Sequence, residues 1–271
     1  MKGSVSQVIA LATHGNEFLR KDRISKWFYP HNVAFKFCNK VDFRELKKII
    51  FLNPKEIVVS EDPFEWFSYL KCGRCMYLRV YFQPRSERPG ILSHQLAGFV
   101  GGGGAWMIEA VYKSYSDFWS PRWEVSDKDH PKRIWTVNYG RTIKNGLTKN
   151  IQINENEVKD ELDLTLAKIS EFAFSRKLDD WGKIFKHSRT ILNSEQPEQN
   201  SYYKKLIPIR NYSLAARQIL FAASSSWVFG GMGSWNDVGY AVENEFELYK
   251  QLSAELYDNI NRSVVSAVNS Y

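Results

Sequence analysis

The spacing of apolar residues changes after about Thr142, and that change limits the folds open to the chain. Between Met76 and Thr142, segments such as Trp106 to Tyr112 and Ile134 to Tyr139 carry large apolar residues at every second position, whereas beyond Val158 they recur at intervals of three and four. A period of two places alternate side chains on opposite faces of a strand, and three–four spacing gathers them on one face of a helix. By this rule Trp106, Ile108, Ala110 and Tyr112 share a strand face, and so do Trp135, Val137 and Tyr139. Val158, Leu162, Leu166, Ile169 and Ala173 form a helical stripe. A longer stripe runs through Phe246, Tyr249, Leu252, Leu256, Ile260, Val264, Ala267 and Tyr271. Strands followed by helices predict an α+β fold, with an antiparallel sheet in the N-terminal half packed with a mainly helical C-terminal half. The expected organisation is a basic, mixed helix and antiparallel-sheet region over 1–150 and a helical region over 151–271, packed on it as one globule.

Local signals fill in the elements. Val5, Ile9 and Ala12 predict a first helix. Asp42 with Glu45 reads as a capping box for a helix through Phe43, Leu46, Ile49 and Ile50, stopped by Asn53-Pro54. Glu56 to Ser60 reads as a strand, and Asp62-Pro63-Phe64-Glu65 opens a helix that ends near Cys72-Gly73. Met76 to Phe82 is a strand, and Leu96 to Val100 with Trp106 to Tyr112 reads as a hairpin about Gly101 to Gly104. In the second half, Asp179-Asp180 is expected to cap a helix carrying Trp181, Ile184 and Phe185. Ser213 is expected to cap another running to about Phe229.

A chain of 271 residues with 44% apolar and 15% aromatic content can bury a sizeable core. Its nine Trp are high for this length; Trp is foremost a core residue and also a good binding anchor. The net charge of +7 is uneven: residues 1–150 carry 24 Lys and Arg against 14 Asp and Glu, and residues 151–271 carry 13 against 16. A basic half suits an acidic partner. The apolar stretch Val8 to Ala12 is too short for an export signal, and no run approaches a membrane span, so the cytoplasm is the expected compartment and no membrane partner is expected.

Motifs that could carry chemistry are sparse. Gly101 to Gly104 lacks the following helix and the Gly-Lys-Ser/Thr of a phosphate loop. Cys72 and Cys75 have redox or metal-pair spacing but follow a helix and precede a strand, the reverse of a thioredoxin-type order. Two semi-buried free thiols are expected there, and the five His are isolated, with His94 and Glu109 near the glycine run. Glu109 should face solvent, away from Trp106 and Ile108. No catalytic residue, metal ligand or cofactor is indicated.

Two segments are candidates for binding. Trp119, Arg122, Trp123 and Arg141 interleave rings with cations, which suits single-stranded nucleic acid or a protein epitope, and equally a sheet with rings inside and cations outside. Gly230-Gly-Met-Gly-Ser-Trp235-Asn-Asp237 should form a compact turn after a helix end at Gly230-Gly231. It would be either a structural junction or a loop displaying Trp235 and Asp237. This turn and the helix after it resemble the C-terminal part of small uncharacterised bacterial proteins with a Gly-Gly-Met-Gly-Ser-x-Asn-Asp turn. The resemblance implies no reaction, and its association with toxin–immunity systems implies a binding role.

The expectation is therefore a non-enzymatic intracellular binding protein with a protein partner, for example an immunity-type inhibitor of a toxin. The alternative is a nucleic-acid-binding or nucleic-acid-processing protein using the basic, Trp-rich N-terminal half. A cluster of acids or His in one pocket would point instead to an enzyme acting on a small ligand.

Overall fold

The computed structural model describes residues 3–49, 52–84, 93–97, 103–126, 132–147, 154–199, 201–241 and 245–271. A helix α1 (Gly3–Lys21) precedes strands β1 (Cys38–Ile49) and β2 (Leu52–Ser60), helix α2 (Pro63–Cys72), strand β3 (Tyr77–Gln83) and a single turn α3 (Ser93–Leu96). Strands β4 (Ala105–Val111), β5 (Ser116–Val125) and β6 (Trp135–Gly146) follow, and then helices α4 (Glu155–Ser175), α5 (Asp179–Leu192), α6 (Leu214–Ser225) and α7 (Phe246–Asn269). The fold is α+β.

The six strands form one sheet in the order β2-β1-β6-β5-β4-β3, antiparallel except for the interior pair β1 and β6, which is parallel. Helix α1 lies across β3 and β4, α2 covers β1 and β2, and α7 reaches from α4 and α6 to β3. These helices cover one face. Under α2, Phe43 stacks on Trp66 with ring centroids 4.2 Å apart, and Trp119 meets Trp66 edge-on at 5.6 Å. Buried side chains from both halves join in one continuous cluster.

Several local expectations hold. Asp62 accepts hydrogen bonds from the backbone N–H groups of Phe64 and Glu65 at the start of α2, and Ser213 accepts one from Ala216 at the start of α6. Others fail for identifiable reasons. Asp42 to Ile49 is strand, not helix, and Ile50 lies outside the described residues: β1 needs Phe43 inside and leaves Leu46 64% exposed on the other face, so the apparent helical stripe is split. Asp42 there grips Arg44 through both oxygens, at 2.8 and 3.0 Å, instead of capping.

The hairpin expected between Leu96 to Val100 and Trp106 to Tyr112 is replaced by pairing of β4 with β3 and β5. Residues 93–96 make the turn α3, and residues 98–102, with most of the expected first strand and Gly101 and Gly102, lie outside the described residues. Gly103 is left-handed at φ +79°, and its carbonyl accepts the Tyr257 hydroxyl at 2.6 Å. Asp179 and Asp180 occupy the first turn of α5, whose cap residue, Leu178, makes no side-chain cap bond. Helix α6 stops at Ser225, before the glycines, because the chain leaves the helix at Trp227 to Gly230.

Strand β3 is an edge, and open edges expose unpaired N–H and C=O groups. Two asparagines take the place of a seventh strand. Asn16 on α1 accepts from the Leu78 N–H at 2.6 Å and donates to the Leu78 carbonyl at 2.9 Å. Asn269 on α7 does the same for Val80, at 2.8 and 2.9 Å. Asn16 is buried, so its replacement leaves both Leu78 groups without a partner. Asn16→Leu is expected to lower the unfolding free energy by about 1–3 kcal/mol in a urea titration.

His14, also on α1, is buried beside Phe28, and burial pushes its imidazole from 6.5 down to about 4. Between those values the unfolded chain binds a proton that the folded chain refuses, so stability rises with pH across the window. The contribution is complete above the unfolded value and disappears as pH falls to the folded one. Its size is about 3 kcal/mol. His14→Phe is expected to flatten this part of the stability profile, measured by denaturant unfolding on either side of the window.

Candidate functional site: a basic aromatic surface

Between α1 and β1 the chain runs irregularly through a short 3-10 turn, Val33–Phe35, capped by Asn32. The loop that joins α5 to α6 runs beside it in the opposite direction. Lys21 Nζ donates to Asn211 Oδ1 at 3.0 Å, Asn32 Nδ2 to the Lys205 carbonyl at 2.8 Å, and Lys36 Nζ to the Tyr202 hydroxyl at 3.3 Å. Buried Phe28, Phe35, Leu206 and Ile207 root the two segments in the core.

What the pair presents outward is rings and cations. Trp27 is 72% exposed, Tyr202 64% and Phe37 54%. Lys21, Arg23, Lys26, Lys36, Lys204, Lys205 and Arg210 are all exposed on the same two segments. Two of the acids of these segments are engaged elsewhere, Asp22 by Lys71 and Glu198 by Arg217, and Glu195 is exposed. Among the described residues, none of those seven cations pairs with a carboxylate. Lys36 lies 5.4 Å from the Phe37 ring centre and 5.8 Å from that of Tyr202, so a cation and two rings already stand together.

The residues expected from sequence are placed differently. Alternation along β5 sends Trp119 and Trp123 to the helix-covered face and Arg122 to the open one. Trp119 is fully buried against Trp66, so it is not available to a partner at the surface. Trp123 is half-buried, and its indole N–H donates to Ser4 Oγ at 2.8 Å. Arg141, inside as well, lies over Trp119 and is held by Asp117 at 2.9 Å and Glu45 at 2.6 Å. Tyr69 donates to the other Glu45 oxygen at 2.5 Å, and burial with that carboxylate pushes the phenol up to about 12. Arg122 is exposed, but Glu56 and Glu124 hold it at 2.7 and 3.1 Å.

Trp235 and Asp237 share one turn but take different places, Trp235 buried and Asp237 exposed. Trp235 is fully buried among Trp181, Phe185 and Tyr249 and donates to Ser253 Oγ at 2.8 Å, which corrects the expectation of a displayed ring. Asp237 accepts the Gly233 N–H at 2.5 Å and closes the turn. Asn236 donates to the His94 carbonyl at 3.1 Å and lies 3.2 Å from His94 Nδ1. Burial lowers the His94 pKa. Glu109 is buried rather than solvent-facing, because Arg79 binds both its oxygens at 3.0 and 3.2 Å.

Sequence reasoning missed Trp27, Lys36, Phe37 and Tyr202. The run Lys21-Asp-Arg-Ile-Ser-Lys-Trp27 carried the signal of alternating cations and a ring, but only the fold brings residues 202–210 beside it.

The thiols are free and unequal. Cys72 is exposed, while burial pushes Cys38 up to about 11 and Cys75 up to about 12. Among the described residues, no cluster of His, Cys, Asp and Glu is placed to hold a metal ion. Since the thiolate is the reactive form, a disulfide reagent at neutral pH is expected to titrate Cys72 alone, with Cys38 and Cys75 reacting only after denaturation. Among the described residues, no helix is long and apolar enough to cross a membrane.

Comparison with protein-family models, curated proteins and solved structures finds no match to this chain.

Proposed function

We propose that the protein acts by binding, and that the basic aromatic surface takes single-stranded nucleic acid. The supporting observation is that two adjoining segments carry cations without carboxylate partners together with exposed Trp27, Phe37 and Tyr202, and that Lys36, Phe37 and Tyr202 stand together. Cations track a phosphate backbone, and exposed rings offer faces on which unpaired bases stack. A duplex hides those base faces, so single strands are the better fit. The net charge of +7 adds long-range attraction for the same partner.

The protein-binding reading, with an immunity-type inhibitor as its example, draws on the same surface. An exposed Trp27 next to Lys26 suits an acidic, apolar epitope. The two readings differ in what removing the ring does to binding of an unstructured oligonucleotide.

Fluorescence anisotropy with oligo-dT and oligo-U is expected to show binding that weakens as salt rises, with a log–log slope of about 0.7 for each phosphate contacted. Trp27→Ala is expected to cost about 1–3 kcal/mol without changing that slope. Lys36→Ala and Lys205→Ala are expected to reduce the slope. Absence of salt-sensitive binding to either oligonucleotide ends this reading and leaves the surface to a protein partner.

A further inference from the structure

The sheet has a second distinctive place, on the face opposite the helices. A cavity of about 550 Å³ runs over β3, β4 and β5 and reaches the edge of β3, where Asn16 and Asn269 also line it. Its lining includes Tyr77, Arg79, Tyr81, Glu109, Phe118 and Ile143. This volume is within the range of about 300–1,000 Å³ usual for small-molecule sites. None of its lining residues belongs to the basic aromatic surface.

The floor is the Arg79–Glu109 pair. Nε and Nη2 of Arg79 are spent on the two Glu109 oxygens, at 3.0 and 3.2 Å. Nη1 makes no hydrogen bond among the described residues, and each carboxylate oxygen retains a lone pair. Donor and acceptor therefore stand side by side, with both side chains nearly buried, at 13% and 6% exposure. Rings surround them: the Arg79 guanidinium lies 5.7 Å from the centre of Tyr77, and Tyr81 meets Phe118 edge-on at 6.2 Å.

We infer that this cavity is a binding site for an uncharged aromatic amide, a flat ring bearing adjacent C=O and N–H groups. The carbonyl accepts from Arg79 Nη1 while the N–H donates to Glu109, and the ring packs among Tyr77, Tyr81 and Phe118. Charge selects the neutral form. An anion drawn to Arg79 is repelled by Glu109 at nearly the same distance, and a cation drawn to Glu109 is repelled by Arg79, so net Coulomb attraction for either is small. An amide satisfies both partners and leaves no buried charge unmatched.

Three ligands of one shape and different charge test this: benzamide, benzoate and benzamidinium, titrated by calorimetry into the whole protein. Benzamide is expected to bind one to one, about tenfold or more tighter than either charged relative. Arg79→Met and Glu109→Gln are each expected to weaken it by about tenfold. Either substitution strands a nearly buried partner and could unfold the chain, so Ile143→Trp serves as a second variant. It fills the cavity from a wall residue that is 46% exposed and leaves the ion pair intact. It is expected to abolish binding in a protein with unchanged circular dichroism. The inference is overturned if benzoate or benzamidinium binds as tightly as benzamide, if Ile143→Trp leaves benzamide affinity unchanged, or if none of the three binds at millimolar concentration.

Discussion

The two asparagines on the edge of β3 hold the architecture together. A sheet edge needs its hydrogen bonds satisfied, and here the donors and acceptors come from α1 and from α7, the first and last helices of the chain. Because each asparagine both accepts and donates, its helix is fixed in height along the strand as well as in distance. The helical half is thereby docked by specific polar contacts in addition to apolar burial. Both ends of the chain are tied to one strand, and the cavity over β3 to β5 takes its shape from that strand.

Much of the fold was legible in the sequence, because local periodicity and local polar groups decide it. The stripe from Tyr249 to Ala267 is buried as its spacing requires, and Asp62 caps α2 as its neighbours suggest. The failures occur where a distant partner overrides a local signal. Asp42 and Glu45 imitate a capping box. Residues 41–44 are nevertheless drawn into a strand by β6, and both acids are recruited by arginines, Arg44 and Arg141. Glu109 was misplaced for the same reason: only pairing of β3 with β4 sets Arg79 beside it.

The candidate site was less legible than the fold. A ring and a cation close in sequence say nothing about which face of a strand each will take, and in β5 the alternation buries the rings. The surface that combines exposed rings with free cations joins two loops far apart in sequence, which meet through hydrogen bonds from Lys21, Asn32 and Lys36 to residues 202–211. Binding surfaces built on paired loops escape local pattern reading, whereas rooted aromatic cores do not.

The parallel pairing of β1 with β6 carries a consequence for how the protein is made. Strands β1 and β2 can close as a hairpin soon after synthesis, but Val41 and Phe43 find their neighbours Val137 and Tyr139 only once β6 exists. Until then the inward edge of the hairpin is an unsatisfied strand in the middle of the future sheet. Loop closure of that span sets the pace of assembly, so the nascent chain passes through a sticky, half-zipped stage in which shielding by a chaperone has the most to offer.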